Sequence, residues 1–171
     1  MESIKNFLII MLMALAGCGK NLEYSKLKTA PQNVIGQNLD GYYTDLNGSV
    51  IDFKTLEDST TVLIFAQDTC QICSEEAFHL SDYVNLKGLP SHFKLRHMLV
   101  SSVIEDAVDW TADHKITWPV GVVEADLFRN YCPAQQVPCV IIFKPNLGIT
   151  FQHTGVVSVD NLIKETGGWV K

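Results

Sequence analysis

The chain has 171 residues, of which 47% are hydrophobic and 19% charged, with a formal net charge of −6. That balance excludes a disordered chain and is enough for one domain with a packed core of its own. The acidity excludes nucleic acid as a partner, because binding to phosphate requires a basic face.

The start of the chain reads as an address rather than as fold. Lys5 gives a short charged beginning, and Phe7 to Ala16 is an unbroken apolar run. The run is too short for a bilayer-spanning helix and suits the apolar region of a signal peptide. It ends in Leu15-Ala16-Gly17-Cys18. This sequence resembles the lipobox of bacterial lipoproteins, in which the cysteine is lipidated and becomes the new N-terminus. The expected division is a lipoprotein signal peptide over residues 1–17, a lipidated Cys18 with a polar tether over 18–38, and a folded domain over 39–171. About twenty flexible residues give a reach on the order of 25 Å, and two or more acyl chains anchor a protein stably to a membrane. The expected location is therefore extracytoplasmic, lipid-anchored to a bacterial membrane. In a Gram-negative host that is the periplasmic side, with the outer membrane permitted because Gly19, not aspartate, follows Cys18.

From Leu39 onward strand-like and helix-like segments alternate. Asp45-Leu46-Asn47-Gly48 punctuates a hairpin, since Asn-Gly tolerates the positive φ of a tight turn. Thr61 to Phe65 is rich in β-formers and reads as a strand buried on both faces. Cys70 to Lys87 has helical spacing, with Gly88 and Pro90 as its stop. Phe93–Val100 reads as a second central strand, and Ile104–Lys115 and Glu124–Tyr131 read as helices. Val140–Phe143 and Ile149–His153 flank the turn Pro145-Asn146-Leu147-Gly148, and Val159–Thr166 closes as a helix. The order β-β-β-α-β-α-α-β-β-α predicts an α/β fold, a mixed central sheet covered by helices on both faces, with an N-terminal β-hairpin extension.

The chemistry concentrates at Cys70-Gln71-Ile72-Cys73, directly after a strand and at the start of a helix. Thiol exchange needs a thiolate, and a helix N-terminus offers free N–H groups and a positive dipole end to stabilise one. Cys70 is the expected exposed attacker, and Cys73, one turn inward, resolves the mixed disulfide. A CxxC zinc site would need a second close pair, whereas Cys132 and Cys139 are seven residues apart.

The stretch from Phe65 to Glu76, together with Gln136-Val137-Pro138 followed by Cys139 to Phe143, Pro145 to Gly148 and Gly155, resembles the thioredoxin-like proteins of the TlpA/ResA branch. These are membrane-tethered or secreted thiol-disulfide oxidoreductases. The resemblance covers about Leu39 to Trp169 and implies a thioredoxin-like fold. It also implies that Pro138 is a cis-proline facing the CxxC, with Val137 presenting backbone groups to a substrate segment. Glu76 matches the acid this branch places near its cysteines, where it exchanges protons with the thiols; a solvated first-turn acid is the other reading. The resemblance calls for no cofactor. Its partners would be exported proteins carrying disulfides or thiols, an upstream electron donor, and the membrane through the anchor.

Several positions depart from the branch. Thr69 replaces the usual tryptophan, and Ile64 stands where thioredoxins proper carry a buried aspartate. Asp68, Glu75 and Glu76 crowd Cys70 with negative charge, which opposes the helix dipole and favours a reductant or isomerase over a strong oxidant. Cys132 and Cys139 are expected to be two buried free thiols, with a disulfide as the alternative if their Cα atoms come within about 7 Å. The expected activity is disulfide reduction in exported proteins, with apocytochromes c among the clients of related proteins. The alternatives are a copper metallochaperone, disfavoured because Gln135-Gln136-Val137-Pro138 offers no histidine, and a redox-inactive binding lipoprotein on the same fold.

Overall fold

The computed structural model describes residues 34–168. Its strands are β1 (Tyr42–Asp45), β2 (Val50–Asp52), β3 (Thr60–Ala66), β4 (Phe93–Val100), β5 (Val120–Val123), β6 (Cys139–Lys144) and β7 (Gly148–Thr154). The α-helices are α1 (Gln71–Lys87), α2 (Ile104–Asp113), α3 (Ala125–Tyr131) and α4 (Val159–Thr166), and a 3-10 turn spans Phe53–Leu56. One seven-stranded sheet runs in the order β2-β1-β5-β4-β3-β6-β7. β3, β4 and β5 are parallel neighbours, while β6 runs antiparallel to β3, β7 to β6, and β1 to both β5 and β2.

The hairpin turn forms where Asn-Gly signals it. Gly48 takes φ +82°, and the Asp45 carboxylate accepts the N–H groups of Asn47 and Ser49. The central strand β3 is apolar on both sides for the reason its sequence gives. Val62 and Ile64 pack with Leu80 and Val84 of α1 and Leu162 of α4, and Leu63 and Phe65 pack with Phe128 and Tyr131 of α3. Successive strand residues point to opposite faces, so helices cover both.

One element goes beyond the sequence reading, in which residues 116–123 carry no assignment between two helices. Val120–Val123 is a strand, pairing with β4 through His97↔Val120 to Val100↔Val123 and with β1 through Thr44↔Val122. Four residues with a central glycine carry little periodic signal. Gly121 is required there because a Cβ would run into the Tyr43 ring and sit 2.9 Å from the Thr44 carbonyl. The packed chain also begins before Leu39: Val34 is buried, Gly36 donates its N–H to Ile149, and Ile149 donates back to Gln37, both at 2.8 Å.

Strand directions define two poles. The C-terminal ends of β3, β4 and β5 and the N-terminal end of β6 lie together, since Phe65 registers with both Met98 and Cys139, and Val100 with Val123. The Lys144–Gly148 turn and the Gly36–Ile149 pairing lie at the opposite pole. Among the described residues no helix is long and apolar enough to cross a membrane. Cys18 and the whole proposed signal peptide fall outside the described residues.

Candidate active site

Strand β3 ends at Ala66, the chain turns through Gln67-Asp68-Thr69, and Cys70 caps the N-terminus of α1. Its backbone is extended (φ −88°, ψ 106°), and its Sγ accepts the Cys73 N–H at 3.2 Å. The cap thus spends one of the helix's free N–H donors on sulfur, the arrangement that favours a thiolate at that atom. Cys70 and Cys73 are joined as a disulfide with Cα atoms 5.2 Å apart. Cys70 is half-buried, whereas Cys73 is 1% exposed and packs with Ala66, Ala77, Leu99, Ala107 and Trp110. The two sulfurs therefore differ in access.

Glu76 lies one turn beyond Cys73 and points inward. It is 5% exposed, its Oε1 accepts the Val157 N–H at 2.8 Å, and its Oε2 has no partner among the described residues. Burial pushes its pKa up to about 7, although the Val157 N–H pulls the other way. The surface-acid reading of Glu76 is thereby set aside as geometry. Its contribution to the negative charge around Cys70 is also smaller than the sequence count supposed, because a carboxyl titrating near 7 is only partly ionised at neutral pH. Glu75 stays on the surface and accepts from Gln71, while the Asp68 carboxylate accepts the Thr69 N–H.

Val137-Pro138 immediately precedes β6, at the same pole as Cys70, and its peptide bond is cis. Val137 and Cys70 both pack against the cluster that holds Cys73. The Pro138 carbonyl accepts from Gly155, tying the turn to the end of β7. No backbone hydrogen bond within the described residues engages Val137.

The remaining cysteines correct an expectation. Cys132 and Cys139 are not free thiols but a disulfide, with Cα atoms 6.4 Å apart and both residues fully buried. The α3-to-β6 turn folds back on itself and brings the C-cap of α3 to the first residue of β6, a closure that a seven-residue spacing does not announce.

Solved structures share the fold of this domain. The chain is similar to a secreted Mycobacterium tuberculosis disulfide oxidoreductase homologous to E. coli DsbE (TM-score 0.62, 17% identity, covering 75% of this chain and 96% of that one). It is similar to the thioredoxin domain of a thiol-disulfide oxidoreductase from Bacteroides vulgatus (TM-score 0.59, 17% identity, 76% and 93%). A thiol:disulfide interchange protein of the thioredoxin family from Chlorobium tepidum is also similar (TM-score 0.61, 11% identity, 78% and 94%). The fold is thioredoxin-like. No family model matches the sequence, and no curated protein matches it by sequence.

Two participants escaped sequence reasoning: Val157, whose N–H holds Glu76, and Gly155, whose N–H holds Pro138. Both act through backbone atoms far along the chain from their partners, so residue type alone carries no signal for them.

Proposed function

We propose that this chain is an extracytoplasmic thiol-disulfide oxidoreductase that reduces disulfides in exported proteins. The observation that carries the reading is the asymmetric cysteine pair at the N-terminus of α1, with Cys70 half-buried, its Sγ accepting the Cys73 N–H, and Cys73 itself fully buried. In the reduced enzyme the Cys70 thiolate attacks one sulfur of a client disulfide. A Cys70–client bond forms, the client S–S bond breaks, and the departing client sulfur takes a proton. Cys73 then loses its proton and attacks the Cys70 sulfur, releasing the second client thiol and leaving the Cys70–Cys73 disulfide. The client gains two electrons, and an upstream dithiol donor returns them to the enzyme.

Glu76 supports the second step. It lies one helical turn from Cys73, is buried, and has a pKa raised to about 7, which suits a group that takes a proton from a buried thiol and hands it on at neutral pH. Val137 and Pro138 supply the client-binding edge. Lipidation at Cys18 would confine the activity to the membrane surface outside the cytoplasm. Apocytochromes c are one client class for such a reductase.

The test is entrapment. A Cys73→Ser variant cannot resolve mixed disulfides and accumulates covalent complexes with exported proteins that dissolve on adding reductant. A Cys70→Ser variant accumulates few, because its remaining thiol is buried. Equal trapping by the two would overturn the roles assigned to the cysteines, and no trapping by either would overturn the oxidoreductase reading.

A further inference from the structure

We propose that the Cys132–Cys139 disulfide is a positioning element of the candidate site. It is a closed staple that holds the Val137 backbone where a client strand pairs with it, and it takes no part in thiol exchange. The inference rests on the proposed oxidoreductase function and assigns a role to two residues that the exchange chemistry leaves unused.

The bond closes the loop that carries the client-binding edge. Its six enclosed residues run from Pro133 to Pro138. On one side Cys132 ends α3, donating its N–H to Phe128 at 2.9 Å; on the other Cys139 is locked into β6 between Phe65 of β3 and Thr154 of β7. Within the loop, the Gln135 N–H reaches the Cys132 carbonyl at 2.8 Å and the Pro138 carbonyl accepts from Gly155 at 2.7 Å. Gln136 and Val137 have no backbone partner among the described residues. A segment whose own amides must stay free for a client has no backbone hydrogen bonds of its own to fix it. A covalent closure supplies the order that such hydrogen bonds supply elsewhere.

The same bond is kept out of the redox cycle by its place in the sheet. Cys132 and Cys139 cluster with Phe65, Phe128 and Tyr131, whereas Cys73 clusters with Ala66 and Leu99. Phe65 and Ala66 are consecutive residues of β3, so the two disulfides lie on opposite faces of the sheet. Both Cys132 and Cys139 are 0% exposed, which also denies access to external thiols. The Cys70–Cys73 pair therefore alternates between disulfide and dithiol while the staple stays oxidised, and no electrons pass between them.

The test separates placement of the edge from stability of the domain. The parent and a Cys132→Ala/Cys139→Ala variant are compared, well below the variant's melting temperature, in the reduction of insulin and of hydroxyethyl disulfide. The small disulfide needs no strand pairing. The expected result is a KM for insulin raised about tenfold at unchanged kcat, with the rate on hydroxyethyl disulfide unchanged. A variant that melts earlier but keeps its insulin KM within about twofold would overturn the proposal. If the double variant does not fold, Cys132→Ser is measured in the same way, since the Cys139 sulfur then keeps its place in the core. Failure of both to fold would also overturn the proposal, by making the bond a requirement of the whole domain. A parent that reduces neither disulfide would refute the underlying oxidoreductase reading instead.

Discussion

The Glu76 carboxylate accepts the Val157 N–H at 2.8 Å, joining α1 to the loop between β7 and α4 across 81 residues of sequence. The bond engages one oxygen and leaves Oε2 without a partner among the described residues, inside a region that excludes water. A single N–H does not offset that loss of hydration, and the carboxyl holds its proton to about pH 7.

The sign of the consequence for stability is fixed. The folded protein binds the Glu76 proton more tightly than the unfolded chain, whose value is 4.5. Glu76 therefore supports folding below pH 4.5, and that support is withdrawn as pH rises to about 7, at a slope of up to about 1.4 kcal/mol per pH unit. Glu76→Gln, which keeps an oxygen for Val157, should remove this slope in denaturant melts across the window. If Glu76 also takes the Cys73 proton, the same variant should slow resolution of the mixed disulfide on the order of a hundredfold near neutral pH. A resolution rate equal to the parent's would leave Glu76 a purely structural group.

His97 should act in the opposite direction. It is fully buried in β4, and its Nδ1 accepts the Trp118 indole N–H at 2.9 Å. Burial first, and then the charge of His114, push its pKa down to about 3 from 6.5. The unfolded chain takes up this proton first, so stability is complete above pH 6.5 and is lost as pH falls towards 3. Between 4.5 and 6.5 the Glu76 and His97 slopes oppose each other. Stability of Glu76→Gln should fall with acid across that interval, and stability of His97→Gln should rise. Parallel curves for the two variants would contradict both assignments.

The Cys132–Cys139 bond should survive where the Cys70–Cys73 bond does not. Mild reductant followed by alkylation in the native state should label Cys70, and peptide mapping without reductant should recover the Cys132 and Cys139 peptides linked. In the chain-entropy account, closing so short a loop is worth about 2.5 kcal/mol, so the double alanine variant should lower the unfolding free energy by about that amount. Recovery of both cysteines as alkylated thiols from untreated protein would show the pair to be open.

Lipidation at Cys18 predicts incorporation of labelled fatty acid and partition with membranes when the chain is expressed in bacteria. Cys18→Ser should do neither. Labelling that persists in that variant would move the acyl group to another residue.

The sequence made the site's centre legible because its signals are local. A β-rich run, a CxxC and a helical pattern in immediate succession locate Cys70 and Cys73, and the family resemblance at Gln136-Val137-Pro138 implies the turn beside them. What stayed hidden depends on closure at long range. Whether Glu76 faces water or Val157 is decided by where the chain returns after β7. Whether Cys132 meets Cys139 is decided by the turn between them, and the bland preference for buried free thiols misjudged it. β5 is illegible for a related reason: Val120-Gly121-Val122-Val123 has no alternation, and Gly121, which reads as a strand breaker, is there to admit the Tyr43 ring.

The pairing of Gly36 and Gln37 with Ile149 fixes where the N-terminal segment joins the fold, and it does so at the pole away from Cys70. Between the two poles runs β3, seven residues long, or about 23 Å at roughly 3.3 Å per residue. For a chain anchored upstream of Val34, the leash takes hold at the base of the domain and the dithiol rides at its summit. A flexible tether entering at that base, as the lipidation proposed at Cys18 implies, leaves the dithiol pole open whichever way the domain turns.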